Sequence, residues 1–479
     1  MSSKTSLATA GVDIAYIVSH GFAARMVMQT NLLGKLVETG KTVALIAPDA
    51  EDENLRTYCR TTGVSLYEFK PTANRWNDQY AFARKYFLED IKANPALWEK
   101  HIYATRYNKA KNPWRLVRPW FLYAGYRMTQ AFPAIRKWYQ RKEDQLLESN
   151  EATRLIELIA PKALVATYPV NFLEGMLLKA AKAQGCKTVI HLLSWDNISC
   201  KGHFPQLADE YIAWGPIMAA ELKEYYGVSD EKIHQCGVPH FDVHLLNRAN
   251  PQPGVFLEKL GLKADRPYLF FGMSSPRFAP SEIDSVEWLG KQVTNNVFGK
   301  DMQLIVRPHP QNVQGNMADT SWLPRLEALN SDRIGVDFPD LSISKMAWSM
   351  QEKDMLRMSR LLAGCTVSLN SGSTLSIDAL MCGKPVILTS FDAGEELTYW
   401  RSARRLIDYT HLRKLVDCQG VSVVKNYKDL IDSLLKYLND PNYLINERNY
   451  TASQECKNAS DGFATERCVE IVKSLVETL

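Results

Sequence analysis

No window of the 479-residue chain reaches the ~18–20 apolar residues that a spanning helix needs, so no transmembrane segment is expected. The nine cysteines, Cys59, Cys186, Cys200, Cys236, Cys365, Cys382, Cys418, Cys456 and Cys468, are scattered and never in CxxC spacing. That pattern argues against both a disulfide framework and a zinc site. Charge of one sign is also scarce: 57 Lys and Arg face 53 Asp and Glu, a net +4, which gives no ground for a nucleic-acid partner. The opening MSSKTSLATAG lacks a long apolar stretch and a convincing cleavage signal, so a cytoplasmic location is expected. What is present is the balance of a folded globular protein, 46% hydrophobic and 23% charged, with length for two or three domains.

Short apolar runs alternate with amphipathic stretches along most of the chain. Val12–Val18, Thr42–Ala47, Ala163–Thr167, Thr188–Leu193, Glu210–Trp214 and Ile233–Val238 read as strands, with helices at Thr30–Thr39, Asn171–Gln184 and Met218–Tyr226. Arg248–Gly254 (RANPQPG) interrupts both periodicities and reads as a linker. The alternation then restarts. Strands are expected at Tyr268–Gly272, Gln303–Val306, Ile334–Phe338, Leu361–Leu369 and Pro385–Leu388; helices are expected at Asp284–Asn296, Trp322–Leu329, Asp354–Arg360 and Thr374–Met381. Strands without polar alternation, separated by helices, predict parallel sheets covered on both faces. The fold class is therefore α/β: two Rossmann-like doubly wound domains, 1–247 and 255–440, facing a central cleft, with a helical tail over 441–479.

One segment departs from this pattern, within a helical insertion expected at about 75–150. From Lys100 to Lys142 there is no Asp or Glu, and eleven Arg and Lys interleave with Trp, Tyr and Phe. Such interleaving suits an anionic membrane surface, where cations meet headgroups and amphipathic rings sit at the interface. Aromatics packed on the first domain are the alternative, and single-stranded nucleic acid fits the composition as well.

Several turns could carry chemistry. Ser371-Gly-Ser-Thr-Leu-Ser-Ile-Asp378 opens a helix after a strand, and its small residues, Ser371, Gly372, Ser373 and Thr374, suit a phosphate or diphosphate. Asp378, one turn further in, could reach ribose hydroxyls; plain helix capping is the bland reading of the same residues. Arg307-Pro-His-Pro310 follows another strand, and Arg307 and His309 could neutralise a diphosphate leaving group; a histidine held in a rigid surface turn is the competing reading. Met273–Arg277 (MSSPR) offers Ser274 and Arg277 at the same sheet edge. In the first half, His20 or Asp196 could deprotonate an acceptor hydroxyl, and Glu174, Asn197 and Lys201 are candidate acceptor contacts. Against this, Gly21 alone could explain the turn around His20, Asp196 could simply orient its loop, and a carboxylate at Glu174 suits a helix start.

The order TYPVNFLEG, LLSWDNISCKG, DEYIAWG, QCGVPHFD, RPHP and SGSTLSIDALMCGKPVI, within Leu164–Leu388, resembles bacterial GT-B glycosyltransferases of surface-carbohydrate synthesis. Glycerophosphotransferases of teichoic-acid synthesis, which use CDP-glycerol, and non-hydrolysing UDP-GlcNAc 2-epimerases share features of this pattern. The resemblance implies that Ser371, Gly372, Ser373 and Thr374 meet the donor diphosphate and Asp378 the ribose, where many relatives carry Glu. The expected activity is transfer of a sugar from a nucleotide-sugar donor to a glycan or lipid-linked hydroxyl in surface-polysaccharide synthesis, such as lipopolysaccharide or capsule. No metal and no cofactor beyond the donor substrate are expected, because fixed helix ends and cations can stabilise the departing phosphate. Phosphotransfer from a CDP-alcohol is the second reading, and a non-catalytic nucleotide-binding scaffold the third.

Overall fold

The computed structural model describes residues 11–72, 75–109, 111–313, 320–341, 352–394 and 396–478; the opening segment, up to Ala10, lies outside them. The first sheet holds β1 (Ile14–Ile17), β2 (Val43–Ala47), β3 (Ser65–Glu68), β4 (Ala163–Ala166), β5 (Lys187–His191), β6 (Glu210–Ala213) and β7 (Ile233–Gln235). Its strand order is 3-2-1-4-5-6-7, every pair parallel, with Ile14 of β1 level with both Val43 and Ala163. The second sheet holds β8 (Tyr268–Gly272), β9 (Gln303–Arg307), β10 (Ile334–Val336), β11 (Val367–Asn370), β12 (Val386–Thr389) and β13 (Ser422–Val424). It repeats the same winding, 10-9-8-11-12-13, again all parallel. Runs such as IAYI and VALIA are buried along their whole length because helices cover both faces. Winding reverses between β1 and β4 and between β8 and β11, and at such points the loops beyond the strand ends diverge and leave a crevice.

Local differences from the sequence reading have physical causes. The helix expected over Thr30–Thr39 spans Leu32–Glu38, and a separate helix, Gly21–Gln29, precedes it; the break falls at Asn31, whose backbone is left-handed (φ +51°). The strand expected from Leu361 begins at Val367, since Leu361 and Leu362 lie on the buried side of the helix Glu352–Gly364. An apolar run that short does not distinguish a helix from a strand.

Between β3 and β4 the chain inserts the helices Arg75–Phe87, Pro95–Arg106, Pro113–Ala131 and Pro133–Leu146. Tyr86, Ile91, Leu97, Leu122 and Tyr126 give them a small core of their own. Buried Arg84 pairs there with buried Glu143 at 2.5 Å. The aromatics divide between the two expectations. Tyr126 and Tyr139 are buried, and Tyr80 stacks on Tyr139, whereas Trp114, Trp120, Phe121 and Trp138 are each more than half exposed.

The tail returns across both halves. Ile445–Glu455 packs between Pro216–Tyr226 and Leu375–Met381, and Ala464–Glu477 packs on Leu32–Glu38. Asp242 caps that last helix, accepting from the Ala464 and Thr465 amides at 2.9 and 2.8 Å.

Candidate active site

The carboxyl ends of the two sheets face each other across a cavity of about 490 Å³. One wall comes from loops after β1, β5, β6 and β7: His20 and Phe22, Leu193, Ser194 and Lys201, Trp214, and His240. The other comes from loops after β8, β9 and β11 and from the helix before β11: Met273, Arg307 to Gln311, Met355 and Met358, and Ser373 to Leu375 with Asp378. A larger groove of about 590 Å³, between Arg248 and Asn449–Ser460, lies under the C-terminal helices, away from the strand ends.

In each half a buried glutamate ties two of these loops together. Glu174 accepts from the Ser19 hydroxyl and from the Thr167 and Tyr168 amides, both at 2.8 Å, joining the loops after β1 and β4. Glu282 accepts from the Ser371 hydroxyl and from the Ser274 amide at 2.6 Å, joining the loops after β8 and β11. Burial raises both carboxyls to about 7 despite these hydrogen bonds. The two glutamates thus hold the switch-point loops in register at equivalent places.

Half of the residues singled out from the sequence line the cavity: His20, Lys201, Arg307, His309, Ser373, Thr374 and Asp378. His20 caps Gly21–Gln29, its Nδ1 accepting from the Phe22 amide at 3.2 Å; His309 Nδ1 accepts likewise from the Gln311 amide at 3.0 Å. An imidazole that accepts through Nδ1 carries its proton on Nε2 when neutral. Burial lowers His309 to about 4, and burial with the Lys201 charge lowers His20. Both rings are therefore neutral Nε2–H donors at pH 7. Arg307 is buried, its guanidinium bound to Asp337 and, at 2.6 Å, to Asp354; those two carboxylates also bind Arg357 at 2.9 and 2.8 Å. Asp378 Oδ1 accepts from His244 Nε2 at 2.8 Å, which links the helix Leu375–Met381 to the helix Asp242–Arg248.

The others sit behind or beside the cavity. Glu174 is wholly buried with both oxygens engaged, and Asn197 is wholly buried. Ser274 and Ser371 are buried in the Glu282 tie. Gly372 takes a left-handed φ of +111°, and its amide and that of Ser373 donate to Asn370 Oδ1 at 2.8 and 3.1 Å. Arg277 lies beside Tyr103 and Phe278, outside this cavity. Asp196 touches it through neighbours, accepting from Ser194 Oγ at 2.6 Å and pairing with Lys201 Nζ at 3.2 Å. Burial alone would raise Asp196, but the Lys201 charge, His411 and the Ser194 hydroxyl outweigh it and hold the carboxyl below its ordinary value.

Trp214, His240, Met355 and Met358 line the cavity without having been read as site residues. His240 lay in a quoted motif, QCGVPHFD, but only its position after β7 shows that it faces the cleft. Among the described residues no group of three or more His, Cys, Asp or Glu is placed to hold a metal ion.

No protein-family model matches the chain, and no curated protein sequence does. Solved structures do. The S. aureus MnaA–UDP co-structure matches with 14% identity and TM-score 0.53, covering 98% of each chain. A putative UDP-N-acetylglucosamine 2-epimerase from Listeria monocytogenes matches with 13% identity and TM-score 0.55, covering 98% of this chain and 97% of that one. CalG4, the calicheamicin glycosyltransferase, matches with 9% identity and TM-score 0.50, covering 98% and 99%. At these identities the likeness establishes the architecture, and the chain is built on the GT-B fold common to such glycosyltransferases and UDP-GlcNAc 2-epimerases.

Proposed function

We propose that this protein transfers a sugar from a nucleotide-sugar donor to a hydroxyl of a glycan or lipid-linked acceptor in surface-polysaccharide synthesis, at the anionic inner face of a membrane. The observation that carries this reading is the convergence of strand-end loops from both sheets on one cavity, which gives donor and acceptor opposite walls. The Nε2–H of His309 and the hydroxyls of Ser373 and Thr374 suit the donor diphosphate, and Asp378 Oδ2 suits a ribose hydroxyl while Oδ1 stays on His244. UDP in the S. aureus MnaA structure supports a nucleotide in a fold of this kind.

On the opposite wall His20 would donate a hydrogen bond to the sugar or the acceptor. Proton removal falls to Ser194 and Asp196. As the acceptor oxygen attacks the anomeric carbon and the bond to the diphosphate breaks, its proton would pass to Ser194 Oγ while the Ser194 proton moves to Asp196. Lys201 keeps Asp196 ionised and ready to receive it.

Transfer is favoured over epimerisation by the inserted helices, whose exposed aromatic and basic surface suits a lipid-linked acceptor. The test supplies UDP-, GDP-, dTDP- and CMP-sugars and a CDP-alcohol, with and without a membrane lipid extract, and reads released nucleotide and sugar configuration by NMR. Acceptor-dependent release of one nucleotide is expected. An inverted sugar centre in the donor without acceptor would show an epimerase, and CMP release from a CDP-alcohol a phosphotransferase.

A further inference from the structure

A further cavity, of about 260 Å³, lies where the inserted helices meet Arg277 of the loop after β8. Its lining combines three cations, Lys85, Lys100 and Arg277, with the apolar or aromatic Phe82, Tyr86, Ile91, Leu97 and Ala104. We propose that this cavity binds a phosphate group carried on an apolar chain, the phosphate between Lys85, Lys100 and Arg277 and the chain along the Phe82–Leu97 wall. It deepens the transfer reading above, on which it rests, by assigning the acceptor to the phosphorylated lipids.

The positive charge here is not neutralised from within. Neighbouring cations have carboxylate partners: Arg84 has Glu143, Lys201 has Asp196, and Arg405 has Glu99 at 3.2 Å. Among the described residues Lys100 has only a neutral one, donating to the Cys200 carbonyl at 2.8 Å, and Arg277 stands 3.9 Å from the Glu99 carboxylate that Arg405 already occupies. Among the described residues Lys85 has no carboxylate partner; it faces Lys100, Lys201 and Arg84, and burial with these charges lowers it to about 8. Lys85 is partly buried and Lys100 and Arg277 are exposed, so three like charges are grouped at the cavity where a phosphate could meet them.

The apolar part of the lining selects what the phosphate is attached to. Phe82 belongs both to the cavity and to the exposed apolar surface, and the Arg118 guanidinium lies 4.3 Å over its ring. A chain leaving the cavity past Phe82 would meet the exposed stripe of the helix Pro113–Ala131. The cavity also adjoins the transfer site through three successive residues. Cys200 accepts from Lys100, Lys201 lines the donor cavity, and Gly202, at φ +89°, packs so closely on Lys85 that an added Cβ would lie 3.2 Å from its Cγ.

The test is calorimetric titration of the full chain with octyl phosphate, inorganic phosphate and octyl glucoside, on wild type and on Lys85→Met. Nucleoside diphosphate binding is measured on the same preparations as the readout of the donor site and of folding. Octyl phosphate should bind about tenfold or more tightly than either half-ligand, and Lys85→Met should weaken it about tenfold, as loss of a charge-assisted hydrogen bond does. Nucleotide binding should stay within about twofold, because Lys85 lines this cavity and not the donor cleft. Lys85→Gln replaces Lys85→Met if the latter does not fold. Equal octyl phosphate binding by wild type and variant would overturn the site. Inorganic phosphate binding as tightly would reduce it to a simple anion site and overturn the lipid assignment; octyl glucoside doing so would leave only an apolar groove and overturn the phosphate. Loss of nucleotide binding in wild type would instead strike at the transfer reading.

Discussion

Single residues set how closely the walls of the cleft approach. Gly272 ends β8 where an added Cβ would lie 1.9 Å from Leu375 Cδ2, so a larger residue fits only if the Leu375 side chain gives way, on the helix that carries Asp378. Gly272→Ala is expected to cost about 1–3 kcal/mol in denaturant unfolding, with part regained by Leu375→Ala; an unchanged midpoint would refute this close packing. Glu282 gives a pH signature. Its folded carboxyl sits at about 7 against an ordinary 4.5, so between these values the folded state holds a proton that the unfolded state has lost. This contribution is fully present below pH 4.5 and is lost as pH rises to about 7, at up to about 1.4 kcal/mol per pH unit for one proton. Glu282→Gln should remove that slope from the wild-type profile, and parallel wild-type and mutant profiles would refute the shift. For catalysis, Asp196→Asn should lower kcat by about 10²–10⁴-fold with KM little changed, if the Ser194–Asp196 pair takes the proton. An unchanged kcat would remove Asp196 from the chemistry. What the sequence could show at this scale was residue type after a strand, which located His20, His309 and Asp378. It could not show that His20 and His309 spend Nδ1 on backbone amides or that Glu174 spends its carboxylate on loop closure, because those partners are set by turn geometry and by distant loops.

Among the elements, the helix Pro113–Ala131 is the most unusual. Pro119, Leu122, Tyr126 and Thr129 form its buried face, while Trp114, Val117, Phe121 and Met128 recur at helical spacing on an exposed one, with the Trp114 and Phe121 rings 5.8 Å apart. Phe121 remains 64% exposed, which is costly for a large ring in water unless another surface covers it. No helix of the described residues is long and apolar enough to cross a membrane, so the stripe suits lying on one. Trp114→Ser with Phe121→Ser should lower co-sedimentation with anionic vesicles about tenfold or more at every salt concentration. Neutralising arginines and lysines of Lys100–Lys142 should weaken binding mainly at low salt, where the Debye length is about 10 Å or more. Vesicle binding unaffected by both changes would refute membrane contact. The sequence marked this segment by its missing acids, but composition could not tell which rings face inward. Tyr126 and Tyr139 find partners only once the helices are stacked.

At the scale of the whole molecule, two copies of one winding are bound edge to edge by later parts of the chain. Asp242 caps the last helix, Lys414 pairs with Glu221 at 3.0 Å, and His244 holds Asp378 across the cleft. The two windings were legible because buried parallel strands are unbroken apolar runs; β3 and β13, edge strands with partly exposed residues, were not read. The cavity itself could be placed only as far as the strand-end rule allows, because its size and lining depend on how the sheets face each other. The most direct measurement is calorimetric binding of UDP, CDP, CMP, GDP, ADP and dTDP to wild type and to Asp378→Ala, with the ligand-free melting temperature controlling for the lost His244 bond. A nucleotide at a hundred times its Kd should also stabilise the wild type by about 2.7 kcal/mol. One base should bind and be weakened about tenfold or more in Asp378→Ala; a folded wild type that binds none of the six would contradict a nucleotide-donor site in the cleft.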